Sequence, residues 1–533
     1  MKLADFCLLA LILAAGCGGG ASLTGGGDGQ DHLLPDDGSV DDQVVDGAGE
    51  DGGMDLDSAG DIDLGDDGGG DDARDDDGAI CPVWAVPLPT GGTEDGSEAR
   101  PFGGLDRALE GRGACDTIVL RGGTPETPFD AAVNIDLAVG ETLTIEGESA
   151  VEALAELDAR DDIGLFVTGE GTLVLRHLAV RWGWGPTGGC LDAEVAVLRM
   201  EDTEFSGCRA DVECGVRVSA ENIEISNSKF TNNQVMPDAD PILWPPGVVC
   251  LDGPPDTAYV LVERCRFEGN DTDFGSALAM QAQTLDAVVR DCVFTGNHAG
   301  LGPAALAGTL GELSHNRFEA NEVERGWGIV GIEGTPETRV VHNLFVGNSS
   351  YASEMGLKVS RGIVANNLFV RNTCRNTPDV IGCRAAVYVT SRDNVDLRNN
   401  TFVGNDSEEG IAHLAYDSAF GQARSNLFVG GAGAGAVGMV YSEWGESAEM
   451  TWNAWWDVPE PVWGEGIHLG EGNIEADPFF DGGDDFHLGA DSAAIDAGDP
   501  DPLLADPDGT RNDIGAFGGP EGDWTPLPEG GAP

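Results

Sequence analysis

One nine-residue pattern constrains this chain more than any other feature. VVHNLFVGN at 340–348 returns almost unchanged as LRNNTFVGN at 397–405, and further copies run from MEDTEFSGC at 200–208 to a degenerate MTWNAWWDV at 450–458. Their aromatic anchors are Phe205, Phe230, Phe267, Phe294, Phe318, Phe345, Phe369, Phe402, Phe428 and Trp455. Successive gaps of about 24 to about 37 residues mean a solenoid or a propeller.

The segments between anchors choose between the two. GVRVSA at 215–220, GLKVSR at 356–361 and AAVYVTS at 385–391 are short, alternating and introduced by small residues, which predicts strands of four to six residues. No leucine-rich, helical or Trp-Asp repeat pattern is present, which leaves a parallel β-helix with one repeat per turn. Equivalent positions then stack every ~4.8 Å. Two places before the anchor, Asn316, Asn343, Asn367, Asn400, Asn426 and Asn453 form one column, and the reading gives each a left-handed bend and a hydrogen bond to the next turn. Three places after the anchor, Asn233, Asn270, Asn297, Asn321, Asn348, Asn372 and Asn405 form a second.

These N-x-F-x-x-N copies resemble the right-handed parallel β-helix repeats of the pectin-lyase-like superfamily. PTGGTEDGSEARPFGGLDRALEGRGACDTIVLRGGT at 89–124 is similar to the N-terminal cap of bacterial β-helix proteins, with a short helix around Leu105–Leu109. DPFFDGGDDFHLGADSAAIDAGDP at 477–500 and DPDGTRNDIGAFGG at 506–519 resemble the closing module of the same surface proteins, called choice-of-anchor Q. The resemblance implies an all-β, right-handed solenoid of about ten to twelve rungs: a cap at 81–113, coils at 114–476, a closing module at 477–520 and a tail at 521–533. It leaves function open, because this fold carries lyases, hydrolases, adhesins and coats alike.

MKLADFCLLALILAAGC has a Lys near its start, an apolar run and small residues before a cysteine, so 1–16 reads as a signal peptide. Ala14, Ala15, Gly16 and Cys17 resemble a bacterial lipobox, although Ala14 stands where Leu is commonest; the resemblance implies lipidation of Cys17, export, and anchoring at the outer membrane or cell surface. Residues 17–80 are rich in Gly and Asp and almost free of aromatics, and are expected to be a disordered tether with a mean reach of roughly 40–50 Å. Within it, DLDSAGDIDLGD at 55–66 approaches a calcium loop but has Ala59 at a ligand position and no flanking helices, so it reads as linker.

The net charge is −66, of which roughly −47 remains once the tether's acids and Arg74 are set aside. Nucleic acid is excluded as a partner, polyuronates are repelled unless calcium intervenes, and weak diffuse calcium binding is the only cofactor expected. Ten cysteines remain after Cys7 and Cys17, an even number that suits disulfides in an exported chain. Spacing pairs Cys374 with Cys383, Cys208 with Cys214, Cys265 with Cys292 on neighbouring rungs, and Cys81 with Cys115 in the cap. That scheme strands Cys190 and Cys250 two rungs apart.

No nucleophile elbow, zinc-protease motif, phosphate loop or polygalacturonase-like carboxylate set occurs. What remains is the outer face of the strand beginning each repeat. Alternation there points Lys358, Tyr388 and His413 outward on three successive rungs, as candidate bases for β-elimination, with Arg361, Arg384 or calcium to quench a uronate carboxylate. Two classes stay open: a monomeric, non-enzymatic surface β-helix binding glycans or a surface partner, and an extracellular polysaccharide lyase or glycoside hydrolase.

Overall fold

The strand-forming runs are two to seven residues long, too short to bury a face alone, so each finds its partner one repeat away. The computed structural model describes residues 73–74 and 80–528, apart from 89–91, 150–152, 161, 237–246, 255–257, 281–285, 352–353, 377–382, 384, 391–394, 409–410, 418–420, 431–434, 442–447 and 464–465. Across them the chain winds as an all-β parallel solenoid. Cys17, Arg384 and, apart from 73–74 and 80, the 17–80 segment expected to be a tether lie outside the described residues.

The turn at 330–351 shows the plan. A first strand Val330–Ile332, a second Arg339–Val341, a third Leu344–Val346 bearing the anchor Phe345, and a short fourth Ser349–Tyr351 each stack on their counterparts. The resulting sheets have 13, 16, 14 and nine strands, called here the first to fourth sheets. About ten turns bear the repeat, and Phe129, Leu157 and Val180 carry the anchor column three turns further toward the N-terminus. Those turns lack flanking Asn, which hid them in the sequence.

The spine and the columns form as stacking requires. From Phe205 through Phe428 successive ring centroids lie 4.6–5.6 Å apart with interplanar angles of 4–18°. In the first column each amide Nδ2 donates to the Oδ1 of the next: Asn316 to Asn343, Asn343 to Asn367, Asn367 to Asn400, Asn400 to Asn426 and Asn426 to Asn453, all at 3.0 Å. The second column repeats this from Asn233 to Asn405 at 2.9–3.0 Å.

One detail of the bend is corrected. The left-handed residue is not the column Asn but the one before it: His315, His342, Asn366, Asn399, Ser425 and Trp452 have φ between 51 and 59°. The column amide must enter the interior, so the chain reverses one residue earlier, outside it.

The cysteines are also redistributed. Cys81–Cys115 and Cys374–Cys383 are paired, with Cα separations of 5.5 and 5.4 Å. Cys208 does not pair with Cys214: Cys208 lies inside the coil and bonds Cys190, whereas Cys214 lies outside the first sheet and bonds Cys250. Opposite faces forbid what closeness in sequence suggested. Cys265 and Cys292 are free thiols. They replace Asn in the first column, and Cys292 Sγ accepts the Cys265 N–H at 3.4 Å as an amide oxygen would. Their side chains follow the same column direction instead of turning toward each other.

A seven-residue helix, α1 (Leu105–Gly111), buries Leu105 and Ala108 in the core over the first coils. The C-terminal segment runs along the outer surface of the third sheet. Phe486, Ala516 and Trp524 pack on Leu344, Leu368 and Val370, while Ala494 and Ile514 pack on Leu427 and Ala454. Docking continues past residue 520, where Arg317 Nη1 donates to the Leu527 carbonyl at 3.0 Å.

Asn367 also donates to the carbonyls of Val340 and Ala365 and accepts the Asn343 backbone N–H. Asn367→Ala leaves these groups buried without partners and is expected to cost about 2–4 kcal/mol, against less than ~0.5 kcal/mol for the exposed Glu170→Ala. Denaturant midpoints of the two variants check this; equal midpoints would refute the column's role.

Candidate functional site

The outer face of the first sheet is where the sequence places its catalytic candidates. Strand register sets Gly331 beside Lys358, Lys358 beside Tyr388, and Tyr388 beside Ala415. Lys358 and Tyr388 therefore do occupy successive rungs. His413 does not follow them. An extra residue between Ile411 and Leu414, a β-bulge, resets the alternation, and His413 turns into the coil.

Inside, His413 is fully buried between Phe402 and Phe428, with ring centroids 5.8 and 6.0 Å away. Asn405 Nδ2 donates to its Nδ1 at 3.1 Å, and its Nε2 donates to the Gly430 carbonyl at 2.6 Å. A carbonyl can only accept, so the partners fix the neutral tautomer with its proton on Nε2. His413 thus ends the second amide column. Burial lowers its pKa to about 4, opposed by the Gly430 carbonyl.

The remaining candidates are no better placed for proton abstraction. Tyr388 is 2% exposed and packs with Ala385 and Ala415. The Lys358 ammonium sits 4.8 Å above the Trp327 ring, in a cation–π contact. Arg361 is exposed on the turn after the Lys358 strand.

Carboxylates gather instead in the C-terminal segment, where Asp496, Asp506 and Asp513 bring oxygens within 4.8 Å of one another. Asp506 accepts the Asp513 N–H at 3.0 Å, and Asp513 accepts the Asp496 N–H at 2.6 Å, so these acids hold their own loops together. Burial and the neighbouring charges push Asp513 up to about 6.

The fourth sheet offers a different surface, which the sequence reading missed. Register stacks Trp184 on Arg209 and Arg209 on Gln234. With Ala210, Asp211 and Met236 these line an open cleft of about 300 Å³. Trp184 is 48% exposed and donates from Nε1 to Asp211 Oδ1 at 3.1 Å; Trp182, two residues earlier, is 54% exposed. The signal was present in WGWGP at 182–186, two tryptophans set among glycines with no apolar neighbours to pack them. No protein-family model matches the chain, and no curated protein matches it.

For His413 the pH dependence has a definite sign. An unfolded His takes up a proton near pH 6.5 and the folded one only near 4, so falling pH in that window favours unfolding. The wild type is expected to lose more melting temperature between pH 7 and 4.5 than His413→Gln, which does not titrate. Parallel curves in thermal scans would contradict the neutral buried imidazole.

Proposed function

We propose that this chain is an exported, lipid-anchored surface protein whose solenoid is a non-catalytic binding module for glycans or a surface partner. The observation that supports it over a lyase is the fate of the three candidates on successive rungs. His413 is inside the coil, Tyr388 is covered, and Lys358 is held over an indole. A β-eliminating site needs a base within reach of the substrate's proton and a cation facing its carboxylate.

Four disulfides suit an oxidising, extracellular setting. No helix among the described residues is long and apolar enough to cross a membrane. Attachment in this reading comes from a lipid on Cys17, with the 17–80 segment as its tether.

Two measurements test the two halves of the reading. Incubation with pectate, alginate and other uronate polymers in the presence of calcium is expected to give no rise in absorbance from unsaturated product; a rise lost in Lys358→Ala would establish the lyase instead. Cys17→Ser is expected to move the protein from the membrane fraction to the soluble one with its fold intact, and retention in the membrane fraction would place the anchor elsewhere.

A further inference from the structure

The cleft on the fourth sheet has the attributes of a built site. Its aromatic wall, Trp184, is held in place while remaining open to solvent, and so is Trp182 on the bend two residues before it. Trp182 has a left-handed backbone (φ 60°), and its ring lies so close over Gly207 of the next turn that a Cβ there would come within 2.6 Å. Trp184 is oriented by its bond to Asp211. Gly207 itself has φ 66° and accommodates both the bend and the ring.

Two of the four disulfides brace the same place. Cys190–Cys208 ties the residue before Arg209 across the coil, and Cys214–Cys250 ties the loop that follows Asp211 to the outer face of the first sheet. The segments lining the cleft are thereby held before any ligand arrives, which removes the ordering cost that binding would otherwise carry. The polar groups there are unspent. The Arg209 guanidinium and the Gln234 amide make no hydrogen bond or ion pair among the described residues, while most arginines of the chain, such as Arg181, Arg217 and Arg290, are paired with carboxylates.

We propose that this cleft binds a neutral oligosaccharide, with a pyranose face on Trp184 and hydroxyls bonded by Arg209, Asp211 and Gln234. A flat apolar ring face needs an aromatic wall, and its equatorial hydroxyls need planar donors and acceptors beside it. From Trp184 to Gln234 is two rungs, about 9.6 Å, roughly the length of two pyranose rings. Charge selects the neutral class. Asp211 lines the cleft and the chain carries −66, so a polyanion meets a repulsive field that one arginine does not reverse. The inference rests on the binding reading above and gives it a location and a ligand class.

Affinity electrophoresis of the full chain through gels containing xylan, mannan, β-1,3-glucan, galactan or polygalacturonate tests it, with Trp184→Ala, Gln234→Ala and the distant exposed Trp463→Ala as variants. At least one neutral polymer is expected to retard the wild type. Trp184→Ala should weaken that by more than ~10-fold and Gln234→Ala by about threefold, with Trp463→Ala unchanged. Far-UV circular dichroism confirms folding, and Gln234→Ala serves if Trp184→Ala fails to fold. Retardation unchanged in both cleft variants would overturn the cleft and leave the binding reading standing. Retardation by polygalacturonate alone would overturn the neutral class, and retardation by none would overturn the glycan reading together with the site.

Discussion

The buried side-chain amide is the interaction on which the rest of this structure depends. An Asn carries a donor and an acceptor in one plane, so in each column it gives Nδ2–H to the next turn and takes the backbone and amide N–H groups of the turn before. Each bond adds about 1 kcal/mol net, but a buried amide left without partners costs more, so the column enforces its own register. Two columns flank the third strand, and the Phe spine stands between them. A slip of one residue would expose every ring and orphan every amide together.

Placing the amide inside has a consequence outside. The left-handed residue before each Asn of the first column lies outside the coil's interior, and its side chain is free to differ from turn to turn: His315 and Trp452 are partly exposed, whereas Asn366, Asn399 and Ser425 are buried beneath the C-terminal segment. The C-terminal segment makes use of this. Asn366 donates to the Ala516 and Gly518 carbonyls, Asn399 to Asn512 Oδ1, and His342 to the Glu521 carbonyl, so consecutive bends supply the donors that seat the strap on the third sheet. The interior columns and this docking surface are therefore products of the same bend.

Much of this was legible because stacking makes the sequence periodic. The anchors, both Asn columns and the parallel order follow from residues that must repeat if turns are identical. What failed were inferences needing the side of the sheet a residue occupies. Cys208 and Cys214 are six residues apart yet on opposite faces, and one inserted residue in Ile411–Asp417 was enough to send His413 inward. Alternation predicts facing only while register holds, and a bulge leaves no mark in a single strand's composition. Trp182 and Trp184 escaped notice for the opposite reason: they lie outside the periodic core, where nothing repeats.

The distribution of surface chemistry then follows from which faces are already engaged. The third sheet is covered by the C-terminal segment over the turns holding Leu344, Leu368 and Leu427. The second sheet turns its outer charges on each other, as in Arg199–Glu224, Arg290–Glu263 and Arg424–Asp396. On the first sheet the outer column passes, between Arg217 and Lys358, through Cys250, Ala279, Ala307 and Gly331, residues with little to offer a ligand. Among the described residues the fourth sheet keeps the unpaired side chains of Arg209 and Gln234 beside the exposed indole of Trp184, in turns that the disulfides Cys190–Cys208 and Cys214–Cys250 brace. A coil whose interior is fixed by one repeated amide can vary its outer residues turn by turn, and recognition belongs where that variation is both exposed and held rigid.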